Sequence, residues 1–228
     1  MLKSYTYKRK DSLMEHIDHL KIMLEKQTKL NILTAGEDWK EQNLNFRREC
    51  FLEGAELINS MNHKWWKSEE MDIPNARLEA IDMLHFALSI YLVDFGNSTE
   101  SMRDKLLALQ EPEATEIDNE TVIVNAEQVI LGCLDASDAA DILGRIGRLC
   151  LSLGMDLYFT LKLYLGKGVL NKFRQEHGYK DGSYIKMWDD GSTEDNVFMM
   201  ESLDTVDLDE DFEDVLYEHL EIAYTGHN

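Results

Sequence analysis

Two pairs of acids stand at helical spacing in this chain, Glu53-Gly-Ala-Glu56 and Glu79-Ala-Ile-Asp82. Residues three apart on an α-helix lie on one face. Each pair therefore presents two carboxylates side by side, and two such helices packed together bring four to one point. Acids that close repel one another unless a cation sits among them. Glu79 and Asp82 also fall against the apolar stripe of their own helix, where charge is costly without a metal. The quartet thus predicts two neighbouring helices around an oxygen-only cage for Mg2+ or Mn2+, and chemistry on a phosphate. A solvated charged face is the ordinary reading of an acid-rich helix. The small residues Gly54 and Ala55 and the apolar flanks of both pairs argue against it here.

The rest of the chain reads as helix too. It holds only two prolines in 228 residues. Leu13, Ile17, Leu20, Leu24 and Leu30 recur at three-to-four spacing and predict a first amphipathic helix over 11–33. A second is expected over 41–60, and a third from Pro74, which suits a first turn, to Phe95, with Gly96 ending it. Residues 98–135 read as an acidic insertion: a short helix near 99–109, a linker with Pro112, and Val122-Ile123-Val124 as loop or helix start. Two more helices follow over 135–153 and 155–175. From His177 the composition turns to Gly, Tyr, Lys and Asp, which predicts a structured loop. Residues 201–228 form an acidic tail with an apolar rhythm, beyond a catalytic domain expected over 1–200. The fold class expected is all-α.

Charge narrows the partners. The formal net charge is −21, and residues 201–228 carry ten Asp/Glu and no Lys or Arg. This balance argues against non-specific binding to nucleic acid or to an anionic membrane. A small anionic substrate is not excluded, because a metal and a few local cations reverse the field inside a cleft. The cysteines, Cys50, Cys133 and Cys150, are odd in number and lack metal-binding spacing, so they read as buried reduced thiols. No signal peptide follows from Met1–Lys10, and no apolar run reaches membrane-span length. The expectation is a soluble cytoplasmic protein.

Three residues past Asp82 lies His85. An acid-x-x-His element belongs to di-iron bundles, but that design needs two of them and only one is present. Oxygen ligands without imidazole favour Mg2+ or Mn2+ over iron. His85 therefore reads as a core histidine supporting the site.

The order of motifs then runs Gln27-Thr-Lys-Leu-Asn31, Asp38-Trp39, Glu53-Gly-Ala-Glu56, Lys64-Trp-Trp-Lys67 and Glu79-Ala-Ile-Asp82 with His85-Phe86. It continues through Lys167 to Gln175, the run His177-Gly-Tyr179-Lys-Asp-Gly182-Ser-Tyr184-Ile-Lys186-Met-Trp188, and Glu194-Asp-Asn196. Over about residues 20–97 and 140–196 this resembles the all-α dimeric dUTPase family, within the wider all-α nucleoside triphosphate pyrophosphohydrolases. The resemblance implies a helical bundle of that type, with a Gly/Tyr/Lys-rich phosphate-binding loop after the last core helix. It implies hydrolysis of dUTP to dUMP and pyrophosphate, with dUDP as a further substrate, and a homodimer. Attack of water at the β-phosphorus is favoured. The role would be to keep uracil out of DNA and to supply dUMP.

The resemblance also assigns residues. Glu53, Glu56, Glu79 and Asp82 match the metal ligands, and Glu49, one turn earlier, joins them as a candidate to orient or deprotonate water. Gln27 and Asn31 match a uracil-reading pair, and a side-chain amide offers the donor and the acceptor that uracil requires. Trp65 and Trp66 divide between core packing and a wall of the nucleotide pocket, with Trp65 and His85 taken as substrate-binding; Lys64 and Lys67 read as solvated neighbours. Arg174, Lys180 and Lys186 supply cations for phosphates, Tyr179 and Tyr184 neutral donors, and Asn171 and Asn196 contacts to sugar or phosphate. Two rivals remain at this level: a related pyrophosphohydrolase acting on dCTP or a modified deoxynucleotide, and a non-catalytic acidic helical binding protein. The tail 201–228, lying beyond the motifs, is expected to be dispensable for hydrolysis and dimerisation.

Overall fold

The computed structural model describes residues 12–67, 70–102, 116–135, 137–188 and 191–225. Among them are eight α-helices: α1 Ser12–Ala35, α2 Phe46–Ser60, α3 Ile73–Phe95, α4 Asn119–Leu134, α5 Ala139–Ser152, α6 Leu157–Glu176, α7 Asp195–Leu203 and α8 Phe212–Thr225. One short antiparallel ribbon, β1 Met187–Trp188 with β2 Thr193–Glu194, joins α6 to α7. The all-α expectation holds. No helix among the described residues is long and apolar enough to cross a membrane.

α3 is the axis. It is apolar on nearly every side, with Ala76, Ile81, Met83, Leu84, Leu88, Tyr91 and Leu92 all buried. It packs against α1, α2, α5 and α6, as a helix without a polar face must. Asp72 caps its start by accepting from the Asn75 N–H, and Pro74 occupies the first turn. Gly96 closes it with φ +60°, a conformation that suits glycine.

The second helix begins at Phe46 rather than 41. Asn43 takes a left-handed φ of 53° in the preceding turn, and the Asn45 side chain caps the helix by accepting from the Arg48 N–H. The larger difference lies in 98–135. Residues Asn119–Leu134 form a full helix, so the stretch expected to be an appended insertion ends in part of the core. Val122, Ile123, Ala126, Val129 and Cys133 are buried, at spacings that repeat on one helical face. α4 packs on α2 and α5. The linker around Pro112, and the short helix expected near 99–109 apart from a 3-10 turn at Glu100–Met102, lie outside the described residues.

The acidic tail is likewise not a loose appendage. Phe212, Leu216 and Leu220 of α8 are buried, and the helix packs on α6 and α7. All three cysteines are free and buried, as expected. The four tryptophans divide evenly: Trp39 and Trp188 are 2% and 1% exposed, Trp65 and Trp66 are 91% and 65% exposed.

Candidate functional site

The acids of the first pair meet those of the second where α2 packs on α3. Carboxylate oxygens of Glu53, Glu56 and Glu79 lie within 4.8 Å of one another. Gly54, between the first two, is what permits this. A Cβ there would stand 2.8 Å from Ile130 Cγ1 and 3.1 Å from Met83 Cε, so α4 and α3 can close on α2 only because the residue has no side chain. Asn75 donates to Glu79 Oε1 at 3.1 Å. Asp82, one turn along α3, pairs instead with the buried ammonium of Lys167 at 2.9 Å. Glu49 lies one turn before Glu53 on α2 and is partly buried.

The acids of this group oppose one another's ionisation. Burial first, then the charges of Asp82, Glu79 and Glu56, push the Glu53 carboxyl from its usual 4.5 to about 8. Burial and Asp82 raise Glu79 as well. Glu53 therefore keeps a proton near neutral pH and shares it with Glu79. A divalent ion bound here would supply the opposite charge that lets both ionise. The donor set, three carboxylates with a fourth adjacent, is all oxygen and suits Mg2+ or Mn2+.

Behind the acids lies a closed polar network. Burial drives the His85 pKa down to about 4, so the imidazole is neutral. Its Nδ1 lies 2.7 Å from Gln27 Oε1, which makes Nδ1 the donor. Nε2 is buried without a hydrogen-bond partner. The ring stacks on Tyr164 at 4.3 Å, and the Tyr164 hydroxyl lies 3.0 Å from the same Gln27 oxygen. Gln27 Nε2 donates to Asn31 Oδ1 at 2.9 Å and to Ser89 Oγ at 3.1 Å. Asn31 Nδ2 donates to Ser89 Oγ at 3.0 Å. Gln27 and Asn31 are thus neighbours, as their spacing implies, but both are buried and bonded chiefly to protein.

A second chain of polar contacts leaves the acids on the other side. Lys167, held by Asp82, also donates to Asn196 Oδ1 at 3.1 Å. Arg174 donates to the same atom at 3.3 Å and to Asn171 Oδ1 at 3.3 Å. Its other donors grip Asp195 as a fork, at 2.8 and 2.7 Å. Asp195 is fully buried, and it also accepts from the Tyr184 hydroxyl at 2.8 Å. The close approach of α7 to α6 makes this possible. A Cβ on Gly166 would meet Leu203 Cδ2 at 2.9 Å, so glycine there admits the helix that brings Asp195 and Asn196.

The loop between α6 and β1 is a tight reversal. Gly178 has φ +89°, and a Cβ on it would collide with the Ser183 hydroxyl. Ser183 donates to Asp181 at 2.6 Å across the turn, and Gly182 has φ +79°. Tyr179 is exposed, 6.0 Å under the Arg174 guanidinium. Lys180 reaches α1 and donates to the Thr34 carbonyl at 3.1 Å. Lys186 pairs loosely with Glu194 at 3.6 Å. Trp65 and Trp66 sit edge to face, 5.5 Å apart, on the surface between α2 and α3.

Of the residues singled out in the sequence, Glu53, Glu56 and Glu79 converge directly, with Asp82 beside them. Gln27, Asn31 and His85 form one buried network. Asn171, Arg174, Asn196 and Tyr184 form another, with Tyr179, Lys180 and Lys186 on the adjoining loop. Four residues not singled out knit these together: Lys167, Asp195, Ser89 and Tyr164. Lys167 and Asp195 stood inside quoted motifs, but nothing in the sequence distinguished them from the Lys162, Lys172 and Glu194 around them. Ser89 and Tyr164 carried none.

Compared with known families, residues 19–179 match the family model described as dUTPase. No curated protein matches the chain.

Proposed function

The chain belongs to the dUTPase family, and from that premise we propose that it is a Mg2+- or Mn2+-dependent enzyme converting dUTP to dUMP and pyrophosphate, with dUDP as a second substrate. It is a dUTP-hydrolysing enzyme by membership. The metal and the residue roles are our reading. The observation that carries them is the convergence of Glu53, Glu56 and Glu79 within 4.8 Å, where burial and then the neighbouring acids push the Glu53 carboxyl up to about 8.

In this reading Glu53, Glu56 and Glu79 would hold the ion, with Asp82 completing the set or staying with Lys167. A bound divalent ion offsets phosphate charge and lowers the pKa of a coordinated water. The carboxylates do the rest: one of them, or Glu49, takes the proton of the attacking water. Lys167 and Arg174 stand along the chain from the acids to Tyr184, where successive phosphates of a triphosphate would lie. Tyr179, Lys180, Tyr184, Lys186, Asn171 and Asn196 position them, and positioning with electrostatics supplies most of the acceleration in phosphoryl transfer. Attack at the β-phosphorus leaves dUMP as the departing group.

At the other end, Gln27 and Asn31 read the base beside the neutral His85. Their amides are now bonded largely to each other and to Ser89, so a uracil edge would replace some of these partners rather than fill empty valences. The exposed Trp65 offers a flat wall for the base or sugar.

The test is a turnover panel with dUTP, dUDP and dCTP, with Mg2+ and with a chelator. Fast, Mg2+-dependent release of dUMP and pyrophosphate from dUTP is the expected result. Comparable turnover of dCTP would move the substrate assignment. Activity undiminished by chelator would remove the metal role from the acid cluster.

A further inference from the structure

The family match ends at residue 179, yet the loop read above as the phosphate holder is packed against a helix more than thirty residues further on. Tyr224 of α8 lies flat on Tyr184, with ring centres 5.5 Å apart and planes 16° from parallel. The same ring touches Phe173, His177 and Trp188 at 5.4, 5.1 and 5.4 Å. Its hydroxyl accepts from the Ile185 N–H at 3.5 Å. One side chain thus contacts both flanks of the loop and two residues near its C-terminal end.

The helix that carries Tyr224 is itself anchored along its length. Lys26 of α1 donates to Glu213 at 2.6 Å. The Tyr217 hydroxyl donates to Glu176 at 2.7 Å. Glu221 lies 3.4 Å from the His177 imidazole. Phe212, Leu216 and Leu220 are buried beneath. On the far side of the stack, the Tyr184 hydroxyl is bonded to Asp195, the partner of Arg174. A continuous path of contacts therefore runs from α8 through the two tyrosine rings and Asp195 to Arg174.

We propose that α8 is a clamp on the loop 178–186, and that Tyr224 is a positioning residue that fixes Tyr184, and through it Lys180 and Lys186, for the phosphates. The proposal rests on the phosphate reading of that loop. Tyr224 acts through Tyr184 and has no role in the chemistry itself. Stacked aromatic rings hold geometry in a way a flexible side chain does not, and supporting residues of this kind set the precision of a site.

The experiment uses the full chain, with Tyr224→Ala, Tyr224→Phe and, as a control on the exposed face of the same helix, Glu218→Ala. Two quantities are read: dUTP kinetics, and amide hydrogen exchange across residues 179–186 against α2 and α3. In Tyr224→Ala we expect exchange in the loop to rise about tenfold or more while α2 and α3 stay protected. KM should rise roughly 5- to 20-fold with kcat changed much less. Tyr224→Phe keeps the ring and should restore both, and Glu218→Ala should match the unsubstituted protein. Unchanged loop exchange in Tyr224→Ala overturns the clamp, as does a Phe variant that behaves like Ala. Faster loop exchange with unaltered KM overturns the positioning role and places the failure in the phosphate reading. Loss of protection throughout α2 and α3 in Tyr224→Ala but not in Tyr224→Phe would make the ring a global core element, and would also overturn it.

Discussion

Glu53 is where sequence, burial and chemistry meet in one side chain. Its carboxyl titrates near 8 instead of 4.5 because it is half-buried beside Asp82, Glu79 and Glu56. For an acid, a raised folded-state pKa means the folded protein binds more protons than the unfolded one between those two values. Stability of the metal-free protein therefore falls as pH rises from about 4.5 to about 8. Replacing Glu53 with Gln removes that titration. In chelator, the melting temperature of Glu53→Gln should gain on that of the unsubstituted protein as pH goes from 5 to 8. Saturating Mg2+ should reverse the advantage, since the native site then gains binding free energy that the variant lacks. A constant difference across that range would show that Glu53 ionises normally. Arg174 illustrates the opposite case. It looked like a free cation for phosphate, but its fork grips Asp195, and removing one partner of a buried pair typically costs about 3–5 kcal/mol. An alanine there tests the fold before it tests the substrate, whereas the exposed Lys186 tests the substrate alone.

At the scale of elements, the helices were legible wherever apolar residues kept a helical period and a cap was present. α3 was read from its stripe, Pro74 and Gly96, and the structure adds only Asp72 as its cap. α4 was not, because Val122-Ile123-Val124 is a β-branched run beside an acidic stretch. Its burial against α2 and α5 outweighs that local preference. α7 and the depth of α8 were hidden for another reason: Met199, Leu203, Phe212 and Leu216 reveal their role only against surfaces distant in sequence. The acid pairs were readable because their spacing is local; their link to Asp195 through Lys167, Asn196 and Arg174 was not, because it joins three helices. Gly54 shows how tightly element packing and site are joined. Alanine there gains about 1 kcal/mol of helix propensity. Against this, the new Cβ would press on Ile130 Cγ1 at 2.8 Å, and overpacking costs roughly 1–3 kcal/mol. The clash wins, so Gly54→Ala should melt a few degrees lower in the unsubstituted chain, and the same substitution should cost much less in an Ile130→Ala background, where the space is already open. A melting temperature unchanged by Gly54→Ala would mean that α4 moves aside freely.

For the whole molecule, charge and association set the behaviour. A net charge of −21 keeps molecules apart at low salt, so self-association needs a specific surface. The family resemblance implies a homodimer, and sedimentation at micromolar concentration in moderate salt should give twice the chain mass of 26.4 kDa. A species at the single-chain mass throughout that range would refute it. The even division of the tryptophans has a consequence for observing all of this by light. Indoles that are 91% and 65% exposed emit in water and meet dissolved quenchers, while those at 2% and 1% emit from an apolar interior out of reach. Iodide should therefore darken the red side of the emission band and spare the blue. A nucleotide settling on Trp65 would shield the red component, and loosening of α8 around Trp188 would shift the blue one. The chain thus carries two optical channels, an exposed pair and a buried pair; under the proposed substrate reading they would report on the base side and the phosphate loop, with no added dye.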